Sequence, residues 1–296
     1  MEHLFGFCSY HINKSPSVFS LGFFDGVHRG HQYLLTQARD LATAEGMQLV
    51  VCTFSSSPKG FPLLIASKKH KALLLEQLGV DILLELPFEH AIQQLSAEAF
   101  IQNVEKMFQL QRWVVGTDVC WGADREGNRQ FLEKYALRSK QQALFIKRYR
   151  LDQKPISSTY VREAIQQGNL SLLQQLLGRP YTIFAPSVSG QGLAKKIGYP
   201  TVNLYVENLL LPPLGVWVAG VSCYPDVTEY RSLVYFSHEM HQKCEVHLLD
   251  HSPIETPQEL EVRLIRYLRP KYHFTSQKLL VEQIQKDIQE ARNLPL

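Results

Sequence analysis

Cysteine is scarce and scattered in this 296-residue chain. Cys8, Cys52, Cys120, Cys223 and Cys244 make an odd number with no C-x-x-C pair, which excludes a disulfide framework and a cysteine zinc site and suits a reducing compartment. No uninterrupted apolar run is long enough to cross a bilayer. The opening Met1-Glu2-His3-Leu4 lacks a basic region followed by an apolar stretch, so no signal peptide is expected and a cytoplasmic location is. An excess of either charge is lacking too. The 31 basic and 28 acidic residues leave a net charge of +3, so neither nucleic acid nor an acidic membrane is an expected partner. Internal repeats and low-complexity stretches are missing. So is G-x-x-x-x-G-K-[ST], which excludes a P-loop.

What is present is ordinary globular material, 45% hydrophobic and 20% charged, in a length that favours two domains. Up to about residue 180, short apolar runs alternate with amphipathic stretches. Ser17–Gly22, Gln48–Phe54, Asp81–Leu86, Arg112–Gly116 and Gln142–Ile146 read as buried strands. His31–Glu45, Lys68–Leu78, Ser96–Phe108 and Asn128–Ser139 read as helices between them. That alternation predicts an open, doubly wound parallel sheet with ligands beyond the carboxyl ends of its strands. After a short helix over Leu170–Leu177 and a boundary near Gly178-Arg179-Pro180, proline and glycine become dense. Short runs rich in Val, Leu, Tyr and Trp follow: Thr201–Leu204, Val216–Val221, Arg231–Tyr235, Lys243–Leu249 and Glu259–Tyr267. They predict a small antiparallel β-barrel, closed by a helix over Ser276–Asn293. The expected domains are therefore 1–180 and 181–296.

The first strand leads into Gly22-Phe23-Phe24-Asp25-Gly26-Val27-His28-Arg29-Gly30-His31. Glycines at a strand-to-helix junction let the backbone approach a ligand, and a helix start offers unpaired N–H groups at a positive dipole end. His28 and His31, three apart, share one face if the first turn forms around them. Two imidazoles there can donate to phosphate oxygens as charge develops on them. Later, Ile156-Ser157-Ser158-Thr159-Tyr160-Val161-Arg162 places three hydroxyls ahead of a helical run. These are good caps and phosphate donors, with Arg162 one turn on for an anion. In the second half, the glycines of Gly190-Gln191-Gly192-Leu193-Ala194-Lys195-Lys196-Ile197-Gly198-Tyr199-Pro200 suit a phosphate-embracing loop to which Lys195 or Lys196 adds charge. Thr201 and Asn203, two apart in an extended segment, point to one face as hard oxygen donors suited to Mg²⁺.

These motifs resemble, in order, those of the prokaryotic bifunctional riboflavin kinase/FAD synthetases. The first loop is similar to the nucleotidyltransferase signature G-x-F-D-G-x-H-x-G-H. Thr53-Phe54 with Pro58 stands where the family writes T-F-E-P-H-P, Val115–Gly122 resembles V-G-x-D-F-x-F-G with Asp118 as its acid, and Ile156–Arg162 resembles I-S-S-T-x-I-R. Gly190–Leu204 resembles the riboflavin kinase signature G-x-G-x-G-R-x-L-G-F-P-T-x-N, and Lys243–Asp250 its E-x-H-x-L-D strand. The resemblance runs from about Ser17 to Arg292. It implies an N-terminal nucleotidyltransferase domain that adenylylates FMN to FAD and a C-terminal barrel that phosphorylates riboflavin, both with ATP and Mg²⁺. His28, His31, Arg162 and Glu245 would be catalytic, with Glu245 taking the proton from the ribityl hydroxyl of riboflavin. Gly22, Phe24, Asp25, Gly26, Gly30, Asp118, Ser157, Ser158, Thr159, Gly190, Gly192, Lys195, Gly198 and Pro200 would line the ATP and flavin sites, and Thr201 and Asn203 would hold the metal. Riboflavin, FMN and ATP are the implied partners.

The chain departs from that pattern in places. Phe23 replaces a small polar residue, Ser55-Ser56-Ser57 replaces Glu-Pro-His, Tyr160 stands where a basic residue is common, and Asp250 is not followed by Leu-Tyr-Gly. These changes leave two alternatives open, a chain with one surviving activity and a flavin- or nucleotide-binding protein without turnover. One further motif, Ser237-His238-Glu239-Met240-His241, is similar to the zinc-protease H-E-x-x-H, but its second histidine comes one residue early. A satisfied or exposed histidine pair is expected there.

Overall fold

The computed structural model describes residues 1–7, 13–58, 60–189, 193–206, 208–237, 243–249 and 258–295. It has two compact units, Met1–Pro62 with Lys68–Ser158 and Leu63–Ser67 with Thr159–Leu296. The division falls ahead of the composition change at residue 180 for a local reason. Leu64 exchanges backbone hydrogen bonds with Asn208 and Leu210 (2.8 Å each), and the Arg162 guanidinium donates to the Leu63 carbonyl (2.7 Å).

The first unit is built on six parallel strands: β1 (Glu2–Phe5), β2 (Asn13–Leu21), β3 (Gln48–Phe54), β4 (Ile82–Leu86), β5 (Phe108–Gly116) and β6 (Gln142–Ile146). Their order is β1-β4-β3-β2-β5-β6. The expected strands are all present, and β1 is an edge strand that periodicity did not reveal. Helices α1 (Arg29–Ala44), α2 (Lys68–Gln77), α3 (His90–Gln93), α4 (Ala97–Met107) and α5 (Arg129–Arg138) connect them, and a two-residue hairpin, β7 (Arg150–Leu151) with β8 (Lys154–Pro155), follows. Strand alternation splits the core between the two faces of the sheet. Leu49 and Val51 pack with Leu35, Ala38 and Leu75 of α1 and α2, whereas Val50 and Cys52 pack with Phe100, Val104 and Leu132 of α4 and α5. Side-chain caps set the helix starts: Ser96 accepts from Ala99 N–H, and Asn128 from Phe131 N–H. Because β3 and β5 flank β2 and the chain leaves β2 in one direction and returns in the other, the carboxyl end of β2 is the switch point.

The second unit holds α6 (Ser158–Gln166), α7 (Leu170–Leu177), β9 (Thr182–Val188), α8 (Leu193–Lys196), β10 (Val202–Tyr205), β11 (Gly215–Tyr224), β12 (Tyr230–Ser237), β13 (Lys243–Leu248), β14 (Glu259–Arg269) and α9 (Gln277–Arg292). Six strands close into an antiparallel barrel in the order β10-β13-β12-β11-β14-β9. Val202, Leu204, Val234, Phe236, Cys244 and Val246 are buried at alternate positions, as a filled barrel interior requires. Outside it, α9 packs Ile288 and Ala291 against Val216, Val218 and Leu233. A bidentate pair from Arg269 to the buried Asp287 carboxylate (2.7–3.0 Å) clamps that helix, and Arg231 donates to the Arg292 carbonyl at its end (2.6 Å). The doubly wound sheet and the barrel with its closing helix are thus both as expected.

Candidate functional site

In the first unit the chain leaves β2 through a single 3-10 turn, Asp25–Val27, and enters α1. Three successive bends make this possible: Phe24, Gly26 and Val27 all have positive φ (52°, 71° and 38°). Only glycine adopts that region freely, so Phe24 and Val27 store backbone strain at the loop. Both side chains are buried, as is Asp25 at 2% exposure. His28 caps α1, its Nδ1 accepting from the His31 backbone N–H at 3.3 Å. That acceptor role leaves the ring proton of a neutral His28 on Nε2. The two imidazoles stack 3.6 Å apart at 14°, and the Phe24 ring meets His31 edge-on at 5.2 Å. The i, i+3 pairing expected from sequence is therefore realised.

Gly30 keeps space for the same geometry. A Cβ there would lie 3.2 Å from the His28 ring and 3.5 Å from the Ile156 carbonyl. The second contact also brings the start of the Ile156-Ser157-Ser158 segment to the first turn of α1. A Cβ on Gly22 would meet the Phe24 ring at 2.8 Å. Asp118 is exposed and paired with Arg148. Arg162 is buried on α6 in the second unit, and Thr159 is exposed beside it.

Sequence reasoning passed over Lys71. It is 5% exposed on α2, and its Nζ donates to Thr53 Oγ1 (3.0 Å), the Phe54 carbonyl (3.1 Å) and the Phe23 carbonyl (3.5 Å). Thr53 Oγ1 also donates to the Phe23 carbonyl (2.8 Å), and the ammonium lies 5.0 Å from the centre of the Phe23 ring. Burial pushes the Lys71 pKa down to about 8, against the upward pull of Glu85 and Asp25. A signal was available: Lys71 shares a face with Leu74 and Leu75, so it is a lysine in an apolar stripe.

On the barrel, Thr201, Asn203 and Glu245 lie on the outer face, alternating with buried residues. Gly190 and Gly192 fall outside the described residues, as do Asp250 and the histidines at 238 and 241. Lys195, Lys196 and Gly198 are exposed. Thr201 and Asn203 are half-buried and alternate with inward Val202 and Leu204. The β10–β13 register sets Asn203 directly opposite Glu245, and Glu245 in turn lies opposite Tyr235 of β12. His247, two residues on, donates from Nδ1 to the Pro200 carbonyl (2.9 Å), and Tyr199 packs edge-on against its ring at 5.7 Å. His247 therefore ties the end of the glycine-rich segment to the strand that carries Glu245, a role that alternation alone did not reveal. Burial, with the Glu245 charge adding to it, raises the inward Cys244 thiol far above its ordinary value, so this thiol stays protonated.

For a divalent cation, Thr201 and Asn203 would offer neutral oxygens, a sparse, hard pair that would suit Mg²⁺ with its remaining ligands from water and substrate phosphates. Among the described residues no group of three or more His, Cys, Asp or Glu side chains could hold a metal. No helix among them is long and apolar enough to cross a membrane.

A strained, histidine-capped helix start over the switch point of a doubly wound sheet marks the first unit as nucleotidyltransferase-like, and it is joined in one chain to a closed six-stranded barrel. A family model described as FAD synthetase matches residues 11–160, and one described as riboflavin kinase matches residues 177–295. The bifunctional riboflavin kinase/FMN adenylyltransferase of Listeria monocytogenes is 32% identical over 95% of this chain and 92% of its own length. That of Bacillus subtilis is 30% identical over 94% and 92%. A solved structure described as a macrolide-efflux protein from Streptococcus pneumoniae superimposes over the full length of both chains, with a TM-score of 0.84 at 27% identity. The chain belongs to the bifunctional riboflavin kinase/FMN adenylyltransferase family.

Proposed function

We propose that this protein makes both flavin cofactors, phosphorylating riboflavin to FMN in residues 181–296 and adenylylating FMN to FAD in residues 1–180, with ATP as the donor in each reaction. The single observation that carries this reading is the presence of two separate constellations, stacked His28 and His31 at the α1 start and paired Asn203 and Glu245 on the barrel, in a chain that both family models match.

For adenylyl transfer, FMN phosphate oxygen attacks the α-phosphorus of ATP and pyrophosphate leaves. His28 and His31 donate to the phosphate oxygens as charge builds up, and the α1 N-terminus adds its N–H groups. Neither imidazole becomes covalently attached. Phe24, Asp25, Gly26 and Gly30 hold the loop in shape, and Ser157, Ser158 and Thr159 offer hydroxyls to the phosphates. Arg162 and Asp118 keep the roles that the resemblance gives them.

For phosphorylation, Glu245 accepts the proton of the ribityl hydroxyl as it attacks the γ-phosphorus of the second ATP. Lys195 and the backbone from Gly190 to Pro200 hold phosphates. Mg²⁺ on Thr201 and Asn203 would neutralise phosphate charge. A cytoplasmic location fits the free, wholly buried thiols of Cys52 and Cys244.

Purified protein incubated with riboflavin, ATP and Mg²⁺ is expected to yield FMN and then FAD on a chromatogram. With FMN supplied instead, FAD alone should form. Absence of FMN in the first reaction would remove the kinase assignment, and absence of FAD in the second the adenylyltransferase.

A further inference from the structure

Lys71 is a buried ammonium on a helix face it shares with Leu74 and Leu75, and it is aimed at the loop that leads to the histidines. We propose that Lys71 is a positioning residue for adenylyl transfer, tying the carboxyl end of β3 to the Phe23 carbonyl and so setting the path of the loop that presents His28 and His31. This rests on the reading that the first half adenylylates FMN.

The geometry is specific. Lys71 and Thr53 converge on one carbonyl oxygen, that of Phe23, immediately before the first left-handed residue, Phe24. The next three residues contain two more positive φ values, and the fourth is His28. A strained path of this kind persists only where its surroundings over-determine it. Donors fastened to the peptide ahead of the bend supply that constraint, and β3, paired in the sheet centre, supplies the fixed point. The ammonium also offsets buried acid on both sides. Glu85 of β4 and Asp25 of the turn face it, with Lys68 of its own helix and Cys52 of β3. Glu85 is held in turn by His3 at 3.1 Å.

The charge on Lys71 gives the idea a signature. With a pKa of about 8, the ammonium is present at neutral pH and lost as pH rises through 8, which weakens its bonds to the two carbonyls. The unfolded chain keeps that proton to about pH 10.4. Between those values the folded state binds fewer protons at this group, so it makes folding more favourable as pH rises. Activity and stability therefore move in opposite directions across this window. A lysine that served packing alone would not produce that divergence.

The test compares FMN-to-FAD conversion with riboflavin-to-FMN conversion from pH 7 to 10 in the full chain, for the wild type, Lys71→Arg and Lys71→Met. The wild type should lose FAD formation through a midpoint near pH 8, while phosphorylation lacks that limb. Lys71→Arg should keep most of the activity at pH 7 and move the limb above pH 9.5. Lys71→Met should lower kcat for FAD formation about tenfold at pH 7 with little change in the KM for ATP, and flatten the profile. A wild-type profile without a limb near pH 8, Lys71→Met kinetics equal to wild type, or Lys71→Arg as impaired as Lys71→Met would each overturn the proposal. If Lys71→Met does not fold, the other two proteins decide the matter. No FAD from FMN at any pH would overturn the underlying reading and this one with it, whereas FAD formation indifferent to residue 71 overturns this one alone.

Discussion

The two candidate sites use opposite kinds of architecture. Around His28 nearly everything is buried. The imidazole is 4% exposed, the loop before it carries two strained non-glycine residues, and a Cβ in place of Gly30 would crowd the ring. At Asn203, Tyr235 and Glu245 the backbone has no positive φ. Asn203, Glu245 and Tyr235 are half-buried side chains on adjacent strands, brought together by register alone. The first site is preorganised by what surrounds it, and its tolerance to change should be low in every direction. The second is positioned by backbone hydrogen bonds that most substitutions leave intact. Losses there should follow the chemistry of the group removed, not its packing.

That contrast can be broken most decisively at Glu245. Replacing it with glutamine keeps shape and register but removes the base, so FMN formation should fall by roughly 10²- to 10⁴-fold, while the melting temperature and the conversion of FMN to FAD hold. A parallel fall in both activities would mean that the sites are not independent. At the other site, His28→Ala should lower FAD formation by about 10²- to 10³-fold and leave riboflavin phosphorylation at its wild-type rate. It should also lower thermal stability, because the stacked ring and the α1 cap go with it. Unchanged stability would show that the loop holds its shape without its histidine.

A third change probes the barrel's closing helix. Asp287→Ala strands the nearly buried Arg269 guanidinium and should cost about 3 kcal/mol, read as an earlier thermal unfolding transition. The smallest effect is expected at Lys195, which is exposed. Lys195→Ala should raise the KM for ATP in phosphorylation several-fold, corresponding to about 1 kcal/mol, with kcat little changed and the difference shrinking in high salt. A loss as large as that at Glu245 would place the lysine in the reaction itself.

Legibility differed between the two halves for physical reasons. In the first half, β3 runs over the residues its apolar pattern marks, because a strand buried on both faces leaves an unbroken hydrophobic run, and β6 keeps its expected bounds although it is an edge strand with no fully buried residue. The edge strand β1 escaped notice: it has only four residues and its two ends are exposed. In the second half, β9 was missed because Pro186 and Ala185 interrupt its pattern, although both pair with β14 in the closed barrel. The glycines and histidines of the first site were readable from spacing. The apolar stripe around Lys71 was readable too, but the partners of Lys71 and His247 were not, since they are carbonyl oxygens 17 and 47 positions away in the chain.

The sequence by itself determined the chemistry available: which side chains can donate, accept or carry charge, where strands alternate with helices, and where glycine permits a bend. Only the tertiary structure decided that Lys71 and Thr53 meet on one carbonyl, that Asn203 faces Glu245, and that residues 63–67 join the second unit. Local pattern follows from neighbours along the chain, whereas these meetings depend on strand order and register, which no short stretch of sequence contains.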